Sequence, residues 1–258
     1  MSEIFFEEND SVAHVRLERP AKRNALTRAM LERLAEIFAA IDGRTDLRAV
    51  VLSGAGRDFC AGTDIEELKA LDEAGARAVA ERGQGVCDLL EMCRVPAIAA
   101  VQGAAAGGGC ELALSCHLRV AAADARFSLP ELRLGVIPGY GGTQRLARAA
   151  GQGRSLAAML AGDGLGAEEA LRRGLVNRVA ADGDVVSEAE SLARQIAETA
   201  APLAVRACLE AVTRGARLPL AEGLALEAEL FAQLFSTDDV REGTRAFLEK
   251  RKPSFKGQ

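Results

Sequence analysis

Several things are scarce in this 258-residue chain: it has no tryptophan, one tyrosine, two histidines and seven prolines. No uninterrupted apolar run reaches the length that would span a bilayer, so no transmembrane segment is expected. The opening MSEIFFEEND is acidic and lacks the basic start and long apolar core of a secretory leader. Net charge is −5 with basic residues scattered throughout, which argues against a dedicated nucleic-acid surface while leaving room for local phosphate-binding cations. The six cysteines could make three disulfides. In a chain of this size without an export signal they read as reduced thiols of a cytoplasmic protein. Cys110, Cys116 and His117 match no common zinc spacing, so no metal is expected. Two phosphate-loop signatures are also missing. Gly54, Gly56 and Gly62 lack dinucleotide-fold spacing, Gly107 to Gly109 are contiguous, and GxxxxGK[ST] does not occur.

What is present is an alternation of strand and helix patterns, with 49% apolar residues to build a core. "VAHVRLERP" reads as a strand that stops at Pro20. Leu26, Met30, Leu34, Ile37, Phe38 and Ile41 recur at helical spacing, and "LRAVVLSGAG" suits a buried parallel strand. A helical stretch from about Asp72 to Arg94 leads after Pro96 into "AIAAVQG", another buried strand. "ELALSC" follows as a short helix and "HLRVAA" as a further buried strand. After Gly141 come short helices ending in glycine and one more strand, "LVNRVA". From Val185 the pattern is nearly all helical. The expectation is an α/β core with parallel pairing to about residue 195, followed by a helical region over 196–258. Its apolar positions Leu224, Leu226, Leu230, Phe231, Leu234 and Phe235 are suited to packing on a neighbour.

Three glycine-containing loops follow buried strands: Ser53–Leu68, Gly103–Cys116 and Leu129–Leu146. Ligands of parallel α/β sheets gather at the carboxyl ends of strands, where helix starts offer free N–H groups. Two such loops could each aim one N–H at a single carbonyl oxygen, a contribution of roughly 10²–10³ in rate per donor. Read singly, each loop needs nothing beyond tight turns. Two carboxylates flank these loops. Glu111 directly follows the glycine triplet and Glu131 sits between Pro130 and an apolar run. Each alone has a plain structural role available, Glu111 as a helix-start acid and Glu131 as a cap. Beside a candidate oxyanion site, the two together suggest a general acid and a general base with pKa values pushed apart.

Taken jointly, "RPAKRNALT", "FCAGTDIEEL", "PAIAAVQGAAAGGGCELAL", "FSLPELRLGVIPGYGGTQRL" and "EALRRGLVNRV" resemble the enoyl-CoA hydratase/isomerase (crotonase) family over nearly the whole chain. The resemblance implies a spiral of ββα units, with a helical C-terminal part that builds trimers, often paired into hexamers. By position it implies oxyanion donors at the backbone N–H groups of Thr63 and Gly108. Thr63 stands where the family often has alanine. Glu111 is placed to activate water and Glu131 to protonate the α-carbon. Retention of both favours a hydratase acting on trans-2-enoyl-CoA, with coenzyme A as part of the substrate and no separate cofactor. Lys22 and Arg23 become candidate phosphate neighbours. Ala61, Asp64 and Ile65 join the substrate-binding set, and Gly139 lines the acyl pocket. Phe231 and Lys250 would reach CoA, that of an adjacent subunit. Tyr140 departs from the small residue frequent in hydratases, a change that would shorten or polarise the acyl site. The rivals are a Δ3,Δ2-enoyl-CoA isomerase or specialised dehydratase on the same fold, and a non-catalytic CoA- or RNA-binding scaffold.

Overall fold

The alternating strands assemble into one six-stranded, mostly parallel sheet in a computed structural model that describes residues 3–181 and 184–258. In chain order the elements begin with β1 (Ile4–Asn9), β2 (Val12–Leu17), α1 (Arg28–Asp42), β3 (Ala49–Gly54), α2 (Ile65–Leu68) and α3 (Glu73–Glu91). There follow β4 (Ala97–Val101), β5 (Ala104–Ala106), α4 (Gly108–Ser115), β6 (Leu118–Ala122) and β7 (Arg126–Ser128). Then come α5 (Gly142–Ala150), α6 (Gln152–Leu160), β8 (Leu165–Gly166), α7 (Ala167–Arg172) and β9 (Arg178–Ala180). Four helices close the chain: α8 (Val185–Thr199), α9 (Pro202–Gly215), α10 (Leu220–Leu234) and α11 (Asp238–Leu248).

The sheet order is β1-β2-β3-β4-β6-β9, with β1 antiparallel and the remaining pairs parallel. β3 and β4 are buried along their whole length, as a sheet covered on both faces requires. Their side chains divide by the two-residue period. Val50 and Leu52 join Leu34, Phe38 and Leu90 of α1 and α3 in one core, whereas Ala49 and Val51 meet Val185, Ala189, Leu192 and Ala193 of α8 in a second. α8 is therefore the lid on the far face, and it runs across residue 195. A second, small sheet of β5, β7 and β8 stands beside the first. It continues through a bridge between Cys60 and Ala105, which draws the loop after β3 alongside β5. That bridge positions the site.

Some sequence expectations shift. β1 adds an antiparallel edge strand ahead of the first expected one; its Glu7 and Glu8 break the apolar pattern, which an edge strand tolerates. The short helix opens at Gly108, three residues ahead of "ELALSC", so the glycine triplet is the helix start itself. β9 begins only at Arg178, because Leu175 and Val176 turn into the first core instead. All six cysteines are free thiols, five buried and Cys208 exposed. Among the described residues no helix is long and apolar enough to cross a membrane. α9 and α10 pack on one another and leave Leu220, Leu224, Phe231, Phe235, Phe247 and Leu248 of the last helices exposed.

Candidate active site

The glycine triplet opens a helix against a neighbouring backbone. Gly107 holds φ 52° and ψ −129°, a region in which side chains are rarely tolerated, and its N–H goes to the Ser128 carbonyl. Any side chain at Gly109 would collide with Cys60. Between them Gly108 begins α4, so its N–H precedes the helical ladder and has no internal acceptor. The parallel segment supplies the second donor. Leu26 donates to the Gly62 carbonyl at 2.7 Å and accepts from the Asp64 N–H at 2.9 Å. Those bonds use the Gly62 and Asp64 groups that face Leu26, and alternation along the extended segment turns the Thr63 N–H to the opposite side. Among the described residues neither the Thr63 nor the Gly108 N–H finds a backbone acceptor.

Glu111 lies one turn into α4 and is 1% exposed. Its Oε1 accepts from the Tyr140 N–H at 2.8 Å and the Gly142 N–H at 2.6 Å, at the mouth of α5. Burial is the largest influence on its titration and pushes the pKa up to about 7; the nearby Glu131 charge adds to this, and the two N–H donors and Arg145 oppose it. Glu131 opens the short 3-10 turn Glu131–Leu134 and is half-buried. Burial raises its pKa as well. Its Oε1 faces Gly107, where a methyl group would stand 3.1 Å away, and its Oε2 is buried without a hydrogen-bond partner among the described residues. Two desolvated carboxyls and two unoccupied N–H donors thus converge on the Gly107–Gly108 corner. Such a corner can grip a carbonyl oxygen and move protons beside it.

Residues with no distinctive local pattern hold this corner in place. Arg145 looks like a surface arginine of an amphipathic helix, yet its guanidinium donates to the Tyr140 carbonyl at 2.9 Å, to Glu91 at 2.8 Å and to Asp88 at 2.7 Å. It clamps the loop whose N–H groups hold Glu111. Gln84 of α3 donates to the Gly139 carbonyl at 2.9 Å and ties the same loop to that helix. Asn24 is wholly buried and ties the carbonyls of Ala55, Asp58 and Phe59 together. An asparagine inside "KRNAL" was its only signal.

The candidates for coenzyme A fall into two groups. Lys22 and Arg23 are exposed around the Pro20–Lys22 turn, and Ala61 donates its N–H to the Arg23 carbonyl at 2.9 Å. Arg23 already grips the buried Asp58 carboxylate through two contacts of 2.7 and 3.3 Å. Asp64 caps α2 through the Glu66 N–H and binds Arg19 at 2.6 Å, so both its oxygens serve the loop. Ile65, the first residue of α2, is 60% exposed. These residues share one surface beside Thr63. Phe231 and Lys250 lie elsewhere: Phe231 is 63% exposed on α10 with its ring 5.1 Å from that of Phe235, and Lys250 follows α11. Among the described residues no hydrogen bond joins either to the Glu111 cluster.

The family model for enoyl-CoA hydratase/isomerase matches residues 7–258. A short-chain-enoyl-CoA hydratase of Clostridium acetobutylicum is 39% identical over 98% of this chain and 97% of its own length. A crotonyl-CoA hydratase of Syntrophomonas wolfei is 38% identical over the same shares. Among solved structures, an enoyl-CoA hydratase from Bacillus anthracis superposes with a TM-score of 0.95 at 37% identity, covering 100% of both chains. The chain belongs to the enoyl-CoA hydratase/isomerase family.

Proposed function

We propose that this protein is an enoyl-CoA hydratase, a hydro-lyase that adds water reversibly and syn across trans-2-enoyl-CoA to give 3-hydroxyacyl-CoA. The observation that carries this reading is the pair Glu111 and Glu131, both with raised pKa, at one corner with the free Thr63 and Gly108 amides. The thioester oxygen sits between those two N–H groups. Ionised Glu111 takes a proton from water, and the water oxygen bonds to the β-carbon. The double-bond electrons move toward the thioester, and the enolate oxygen is held by the two amides. Protonated Glu131 then gives its proton to the α-carbon as the carbonyl re-forms, and exchange with solvent resets both carboxyls. No cofactor is asked for beyond the coenzyme A of the substrate. Two carboxyls are what water addition needs, since one proton is taken and another given; a double-bond shift can shuttle a single proton on one.

Lys22, Arg23, Ala61 and Ile65 form the surface that receives the CoA phosphates and adenine in this reading, with Asp64 bracing it. A trimer or dimer of trimers is the assembly that fits the exposed apolar side chains of α10 and α11, and it would bring Phe231 and Lys250 to a neighbour's CoA. The free thiols and acidic balance fit a cytoplasmic location. The test is turnover of crotonyl-CoA, followed by loss of absorbance of the conjugated thioester. No loss of absorbance, together with conversion of a 3-enoyl-CoA into the conjugated isomer, would replace the hydratase reading with an isomerase.

A further inference from the structure

One side chain at the corner is not used by the hydration chemistry. Tyr140, the chain's one tyrosine, gives its N–H to Glu111, but its ring is packed between α3 and the start of α4 and is 3% exposed. A methyl group at Gly83 of α3 would collide with that ring, and one at Gly108 would stand 2.9 Å from it. Two glycines therefore make the slot in which the ring lies. The Thr63 hydroxyl donates to the phenol oxygen at 2.9 Å, so the ring is also tethered at its tip. Thr63 and Gly108 are the two residues whose amides face the thioester oxygen in the hydratase reading. A ring held against both lies directly beside the place proposed for that oxygen.

We infer that Tyr140, seated against Gly83 and Gly108 and tethered by Thr63, closes the acyl end of the site and restricts this enzyme to short 2-enoyl-CoA substrates; the inference rests on the hydratase reading. An open apolar pocket rewards chain length. Each buried methylene is worth about fourfold in affinity, so four of them favour an eight-carbon acyl group over a four-carbon one by roughly 250-fold. A fixed ring forfeits that gain. The phenol stays neutral, since burial pushes its pKa up to about 12, and the tether persists across the working pH range.

The experiment compares 2-butenoyl-, 2-hexenoyl- and 2-octenoyl-CoA as substrates of the wild type, Tyr140→Ala, Tyr140→Phe and Thr63→Val. Alongside, calorimetry measures the binding of saturated butyryl-CoA and octanoyl-CoA, which needs no turnover. Loss of hydration with an intact binding preference would therefore fault the functional reading and not the filter. The wild type is expected to prefer the four-carbon acyl group in both measurements. Tyr140→Ala should raise the octanoyl-to-butyryl binding ratio and the corresponding kcat/KM ratio by at least about tenfold. Tyr140→Phe and Thr63→Val keep a ring and lose the tether, and should shift the ratio in the same direction by less. If Tyr140→Ala melts early, Tyr140→Leu fills part of the slot and supplies the same comparison. A wild type that binds octanoyl-CoA more tightly than butyryl-CoA, or a ratio unchanged within about twofold in the truncated variants, overturns the proposal.

Discussion

Replacing Glu111 with glutamine should make the protein less active and more stable at once, and the gain in stability should depend on pH. The Glu111 carboxyl titrates near 4.5 when unperturbed and at about 7 in the folded chain, chiefly because it is buried. A folded-state value above the unfolded one means that its contribution to stability is fully present below about pH 4.5 and is lost as pH rises through about 7. A displacement of this size corresponds to about 3 kcal/mol once the group is ionised. Glutamine keeps an oxygen for the Tyr140 and Gly142 N–H groups, occupies nearly the same volume and never ionises. The stability of Glu111→Gln relative to wild type should therefore climb by about 3 kcal/mol between pH 4.5 and pH 8, or roughly 6–12 °C in Tm for a chain of this size. Paired thermal melts at the two pH values read that difference directly. Over the same comparison kcat should fall by roughly 10²–10⁴ with KM nearly unchanged, because a proton acceptor and not a binding contact has been removed. A stability gap that stays constant from pH 4.5 to pH 8, or near-normal turnover, refutes the assignment of Glu111 as a buried base.

Glu131→Gln should lower kcat by a similar factor of roughly 10²–10⁴ while leaving the affinity for CoA unchanged in direct binding measurements. The wild-type kcat/KM should rise with pH through about 7 as Glu111 ionises; a profile that is flat across this range contradicts its assignment as the base. Arg145→Met removes the clamp on the Tyr140 carbonyl and a positive charge that lowers the Glu111 pKa. It should cut kcat by about tenfold and move the acid limb of the pH profile upward, a shift that loosened packing alone does not produce.

Much of the framework could be read from the chain because it rests on local signals. The buried runs "AVVLSG" and "AIAAV" announce central strands, and the period of Leu34, Ile37, Phe38 and Ile41 announces the helix laid over them. The unread parts depend on partners distant in sequence. β5 is three alanines with no strand propensity of their own, held by Cys60 on one side and by β7 on the other. Glu111 and Glu131 stood out as acids in apolar surroundings, but their neighbours could be named only through resemblance. That Glu111 is held by amides from residues 140 and 142 is a fact of tertiary structure. Arg145 illustrates the limit most clearly. Its helix is strongly amphipathic and its charge suits a solvated face, and nothing in its local pattern reveals Glu91 and Asp88 waiting on α3.

The most direct measurement is a crystal structure of the wild-type protein soaked with a slowly reacting acyl-CoA thioester. The account predicts the thioester oxygen at roughly 2.7–3.1 Å from both the Thr63 and Gly108 nitrogens, with one water held between the Glu111 and Glu131 carboxyls on a single side of the double bond. A ligand whose oxygen meets neither amide, or carboxyls that open onto separate spaces, contradicts it.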